Sequence, residues 1–108
     1  MMETQNLSME AKKNIDRLIR VYHPKKIIVF GSFARGEMHP DSDLDLCIIK
    51  DNLPASGVDR KFEIYRLLTD RDIPIDLVVY QPDEFETRLR LGDPFIKTIL
   101  SEGKVFYG

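Results

Sequence analysis

Apolar positions along this chain follow two rhythms, one of helices and one of strands. From Ser8, residues Ala11, Ile15, Leu18, Ile19 and Tyr22 recur at helix spacing, with Ser8 placed to cap the first turn. Pro24 stops that helix and is expected to hold His23 extended. Ile27-Ile28-Val29-Phe30 is short and rich in β-branched residues, the pattern of a buried strand. It runs directly into Gly31-Ser32, a sharp change of direction, and Ala34 to Glu37 then form a short helical turn. Met38-His39-Pro40-Asp41-Ser42 reads as a loop, since Pro, Asp and Ser each favour turns.

A second strand follows from Asp43 to Ile49. Its alternation sets Leu44, Leu46 and Ile48 on one face and Asp43, Asp45 and Cys47 on the other. Beyond the loop at Asp51 to Gly57, a helix from Val58 to Thr69 is expected to bury Val58, Phe62, Tyr65 and Leu68, with Ile64 beside them. Asp70-Arg71-Asp72 ends it. Ile73 to Tyr80 forms a third strand, with Ile75, Leu77 and Val79 opposed to Asp76 and Val78. Pro82 suits the first turn of a helix that uses Phe85 and Leu89. Gly92-Asp93-Pro94 interrupts it, and Phe95, Ile96, Ile99 and Leu100 mark a last helix ending at Gly103, before an extended Val105-Phe106-Tyr107. This order predicts an α/β (α+β) architecture: a small mixed β-sheet backed by helices on one face, with the carboxylates on the more open face.

Composition narrows the function. A length of 108 residues suits a single domain spanning 1–108, and 43% hydrophobic residues argue for a folded globule. The 16 basic residues stand against 18 acidic ones, a net charge of -2, which gives no general field for free nucleic acid. Cys47 is the only cysteine, and His23 and His39 are the only histidines, so an intrachain disulfide and zinc clusters of Cys or His are excluded. The longest apolar runs fall far short of a membrane span, and the N-terminus lacks the apolar stretch of an export signal. A cytoplasmic location is expected.

Asp43 and Asp45 lie two apart on one strand, so their carboxylates project the same way about 7 Å apart. Asp76 has the same parity on its own strand. If the two strands are neighbours, three carboxylates converge and repel, which calls for a divalent cation or for Arg or Lys among them. Oxygen-only ligation favours Mg²⁺ or Mn²⁺. Taken alone, an Asp-x-Asp pair is read as a solvated strand end. A calcium loop starting at Asp41 fails, with Leu46 at the glycine position and Asn52 at the final glutamate. The element just before the pair matters more. Gly31-Ser32 ends a strand and opens a helical turn, where free N–H groups and the Ser32 hydroxyl can receive phosphate oxygens. Arg35, one turn on, reaches the same phosphates or pairs with Glu37 or Asp41.

The stretch Gly31-Ser32, then Phe33 to Ser42, then Asp43-Leu44-Asp45 resembles the signature of the polymerase-β-type nucleotidyltransferases: Gly-Ser, ten residues, Asp-x-Asp. The Ala34-Arg35-Gly36 and Ser42-Asp43-Leu44-Asp45 context is similar in particular to minimal nucleotidyltransferases that act as antitoxins of HEPN-domain toxins. The resemblance implies a nucleotidyltransferase fold and a third carboxylate on a later strand, matched by Asp76. It implies two Mg²⁺ ions (Mn²⁺ as a substitute) on Asp43, Asp45 and Asp76, which are also the catalytic residues. ATP is the implied substrate, with Gly31, Ser32 and Arg35 on its phosphates, and a tyrosine of a HEPN-like partner is the implied acceptor. Family members often carry Arg where this chain has Phe33, which removes one phosphate contact here.

The main rival keeps the fold and makes the chain an antitoxin acting by complex formation alone. An Asp-x-Asp glycosyltransferase fragment leaves the Gly-Ser turn unexplained, and RNA 3′-end modification lacks a basic, aromatic-studded stripe. Cys47 reads as a small buried hydrophobe and His39 as a solvated loop residue.

Overall fold

The computed structural model describes residues 9–37, 43–68 and 74–108. Four strands form one sheet: β1 (Lys26–Phe30), β2 (Leu44–Ile49), β3 (Ile75–Tyr80) and β4 (Lys104–Tyr107). Their order is β3-β2-β1-β4. β1 pairs antiparallel with β2 and β4, while β2 and β3 run parallel. A parallel pair needs a crossover, and α3 (Gly57–Tyr65) supplies it. The remaining helices are α1 (Met9–Arg17), the short α2 (Ser32–Arg35), α4 (Pro82–Arg90) and α5 (Pro94–Glu102). Among the described residues no helix is long and apolar enough to cross a membrane.

The expected mixed sheet backed by helices is present, and helices in fact pack on both of its faces. Ile27, Val29, Leu44, Leu46, Ile48, Leu77 and Val79 join Ala11, Ile15, Leu18 and Ile64 in one core. On the carboxylate face Ile28, Cys47 and Ile49 meet Phe85, Ile96 and Ile99 of α4 and α5 in a second. The reason lies in β2, whose Cys47 and Ile49 are apolar on the face that also carries Asp45 and so need cover of their own. Pro82 and Pro94 open α4 and α5, as their fixed φ allows. Glu84 closes a capping box on the Gln81 N–H at 2.8 Å, and Asp93 accepts from the Phe95 N–H at 2.9 Å.

Three local expectations are corrected. His23 is left-handed (φ 56°, ψ 55°) rather than extended, because Leu18–Tyr22 widens into a π turn whose end is closed by the His23 N–H on the Leu18 carbonyl. Val58 and Phe62 do not enter the core; they are 76% and 61% exposed. α3 lies along β3 with Arg60 and Ile64 inward, so the apolar pair faces away. Of the last helix's four apolar positions only Ile96 and Ile99 are buried, Phe95 and Leu100 being exposed. The extended C-terminal piece is an edge strand on β1. Ser8, the loop at 38–42 and Asp70-Arg71-Asp72 lie outside the described residues.

Candidate active site

The site begins where the second core ends. Cys47 pairs with Ile28 on one side and Val78 on the other, a row roofed by the second core. One step toward the start of β2, Asp45 pairs with Phe30 and with Asp76. All of β2 is buried except Asp45, which is half-buried. Its carboxylate therefore sits at the rim of the covered sheet. Asp76 stands directly beside it in parallel register, which sets the two backbones about 4.8 Å apart. Asp43 immediately precedes β2 and is exposed.

Like charges and partial burial act on Asp45 together. Its carboxyl is raised above the usual carboxylate range, first by burial, then by Asp76 and Asp43, with Arg35 opposing. Asp45 thus senses the charge of both other carboxylates. Among the described residues neither Asp45 nor Asp76 has a salt-bridge partner. The oxygen-only donors suit Mg²⁺ or Mn²⁺. No group of three acidic, His or Cys side chains among the described residues stands closed around a cation position.

Gly31 turns the chain from β1 into α2 with φ 73° and ψ -149°. A Cβ there would collide with the Asp45 carboxylate, so glycine is required both by conformation and by contact. Ser32 opens α2, and the first N–H bonded back into the turn is that of Arg35 on the Gly31 carbonyl. The earlier N–H groups of such a turn have no intrahelical acceptor. Arg35 itself is engaged elsewhere: its Nε donates to Glu37 at 3.1 Å and its second nitrogen to Glu102 of α5 at 3.0 Å. These carboxylates hold its guanidinium above its ordinary pKa. Cys47 is fully buried and its thiol is pushed up to about 12 by burial, the inert behaviour expected of it.

A cleft of about 310 Å³ opens over the carboxylates, lined by Phe30, Asp45, Lys61, Asp76, Leu77, Val78 and Phe95. Phe30 and Phe95 meet edge to face with centroids 5.7 Å apart. Lys61 and Glu102 were not singled out by sequence reasoning, and Phe95 was read only as part of an apolar helix stripe. They come from helices whose apolar spacing says nothing about which surface residue overhangs a distant strand end. A larger groove of about 730 Å³, around Arg60, Glu84 and Arg88, lies away from this row, and its arginines are paired to Glu84 and Asp93.

Residues 9–107 match the nucleotidyltransferase domain family. The chain belongs to that family. Its sequence is 34% identical over 86 residues to a Methanocaldococcus jannaschii protein provisionally named a protein adenylyltransferase, covering 77% of this chain and 78% of that one. It is 29% identical over 87 residues to a bifunctional uridylyltransferase/uridylyl-removing enzyme of Vibrio campbellii, covering 80% of this chain but 10% of that enzyme. Its fold is similar to a chain of a crystallised toxin–antitoxin with AMP-PNP, at TM-score 0.64 and 26% identity over 94% of this chain and 74% of that one. The resemblance seen in the Gly-Ser and Asp-x-Asp motif is thereby upheld.

The contact between Gly31 and Asp45 makes this family's motif physically interdependent. Gly31→Ala is expected to lower Tm by about 5 °C, since a side chain at positive φ costs about 1 kcal/mol or more. Nucleotidyl transfer is expected to fall by a larger factor than the loss of folded protein explains, because the methyl displaces Asp45. Thermal melts alongside single-turnover rates separate the two effects.

Proposed function

We propose that this nucleotidyltransferase-family protein transfers AMP from ATP to a hydroxyl acceptor, a tyrosine of a HEPN-domain toxin, and acts as its antitoxin. The observation that carries the reading is the pairing of Asp45 with Asp76 in one row, beside a glycine turn that touches Asp45. In this proposal the Ser32 hydroxyl and the N–H groups of the Gly31-Ser32 turn bind the β- and γ-phosphates. Arg35 adds a contact on release from Glu37 and Glu102. Asp43, Asp45 and Asp76 would hold Mg²⁺, or Mn²⁺, which when bound supplies charge neutralisation and lowers the pKa of a bound oxygen. The acceptor oxygen forms a bond to the α-phosphorus, the bond to the β-phosphate oxygen breaks and pyrophosphate leaves. Asp76, exposed at the row's outer end, takes the acceptor's proton.

The similarity to a toxin–antitoxin chain and to a protein adenylyltransferase supports the partner and the nucleotide. The net charge of -2 argues against a free polynucleotide acceptor. A second reading, neutralisation by binding alone, draws on the exposed Val58 and Phe62 of α3, an apolar surface suited to a partner. The deciding experiment mixes the protein, a purified toxin-like protein, Mg²⁺ and α-labelled ATP, and locates the label by mass spectrometry. Label on a partner tyrosine, lost with Asp43→Asn, supports transfer. Neutralisation without label, unchanged by Asp43→Asn, selects the binding-only antitoxin.

A further inference from the structure

The cleft over the carboxylates has two ends with different chemistry. At the β1 side the Gly31 turn abuts the Asp45 carboxylate; at the β3 side α3 contributes Lys61 to the lining. Among the described residues Lys61 is the one cation lining the cleft, in company with Asp45, Asp76, Phe30 and Phe95. Among the described residues no salt bridge ties its ammonium to a carboxylate, although two acidic side chains share the cleft. By contrast Arg35, Arg60 and Arg88 are all bound to acidic partners. A cation with no salt bridge among the described residues, set beside two carboxylates, is available to a ligand.

We propose that Lys61 is a further catalytic residue, one that contacts the attacking oxygen of the acceptor. The inference rests on the function proposed above. An in-line displacement puts the leaving group and the attacking oxygen on opposite sides of the phosphorus. With the β- and γ-phosphates at the Gly31-Ser32 turn, pyrophosphate departs toward β1, and the acceptor enters from the β3 side. There Asp76 and Lys61 flank it. Asp76 takes the proton as the oxygen–phosphorus bond forms, while the Lys61 ammonium stabilises the negative charge that the departing proton leaves on that oxygen.

The test compares wild type, Lys61→Met and Lys61→Arg in the labelling reaction with ATP, Mg²⁺ and the toxin-like protein. Lys61 is exposed, so unchanged melting curves are expected for both variants. For Lys61→Met, kcat is expected to fall about 10²-fold with the KM for ATP within about twofold of wild type. Its pH–rate profile is expected to move to higher pH, because the acceptor loses the charge that favours its ionised form. Lys61→Arg restores much of the rate. A raised KM for ATP with unchanged kcat would reassign Lys61 to nucleotide binding and overturn the proposal. Tighter Mg²⁺ binding by Lys61→Met, measured calorimetrically without nucleotide, together with an undiminished rate, would make it a mere counter-charge. No transfer by the wild type removes the underlying function; transfer by the wild type and Lys61→Met alike removes Lys61 alone.

Discussion

Asp45→Asn is expected to reduce the proposed AMP transfer by about 10³-fold or more while leaving the fold intact. The carboxylate lies in the middle of the row Phe30–Asp45–Asp76 and touches the Gly31 turn, so it links the β1 end of the site to the β3 end. Losing several kcal/mol of charge stabilisation corresponds to this factor at about 1.4 kcal/mol per tenfold. Stability should move the other way. Burial, Asp76 and Asp43 raise the folded-state pKa of Asp45 above its unfolded value. Ionised Asp45 therefore works against folding, and that cost grows as pH rises from the unfolded pKa through the folded one. In chelator-treated protein at pH 7, Asp45→Asn should melt at or above the wild-type temperature. A variant that melts well below wild type would mean that Asp45 holds the sheet together rather than serving chemistry.

Arg60→Met is the substitution expected to cost most in stability, about 3 kcal/mol, the lower end for breaking a buried pair because Glu84 is partly exposed. Arg60 is 9% exposed and makes four contacts that no apolar side chain replaces. Its Nε donates to the Pro54 carbonyl at 2.6 Å, one terminal nitrogen to the Val79 carbonyl at 3.2 Å, and the two terminal nitrogens to Glu84 at 2.8 and 3.1 Å. This single side chain joins α3, the edge strand β3 and α4. The Arg60 guanidinium, and after it the Gln81 N–H, hold Glu84 below its usual pKa. A depressed folded-state pKa contributes stability that is present above the unfolded value, about 4.3, and disappears as pH falls through the folded one. Urea titrations from pH 7 to pH 3 should show wild type losing this increment in acid, and Arg60→Met losing little further. Equal acid sensitivity in both proteins would place the titrating group elsewhere.

The corrected helix α3 explains why the Arg60 prediction needed the tertiary structure. Val58, Phe62 and Tyr65 make a plausible helical stripe by spacing alone, yet the inward positions are Arg60 and Ile64. An arginine enters the core side because Pro54, Val79 and Glu84 supply acceptors in fold-dependent positions, which no local pattern encodes. Lys61 follows from the same rotation of the helix. One residue beyond Arg60, it is carried over the carboxylate cleft, while Val58 and Phe62 are left facing out.

What the sequence determined by itself was the local chemistry of β1, the glycine turn and β2. There, strand alternation puts Asp45 opposite Leu44 and Leu46, and the Gly-Ser spacing to Asp-x-Asp carries the family motif. Strand periodicity is a property of a few consecutive residues, so it needs no knowledge of neighbours. The parity of Asp76 was legible in the same way. Which strand it would lie beside was not, because parallel pairing joins residues 31 positions apart and is chosen by packing of the crossover α3. Only the tertiary structure decided that β4 pairs with β1, that α4 and α5 roof the carboxylate face as far as Cys47, and that Arg35 is held by Glu102. Each of these depends on contacts between distant segments, whose energies appear only when the chain is assembled.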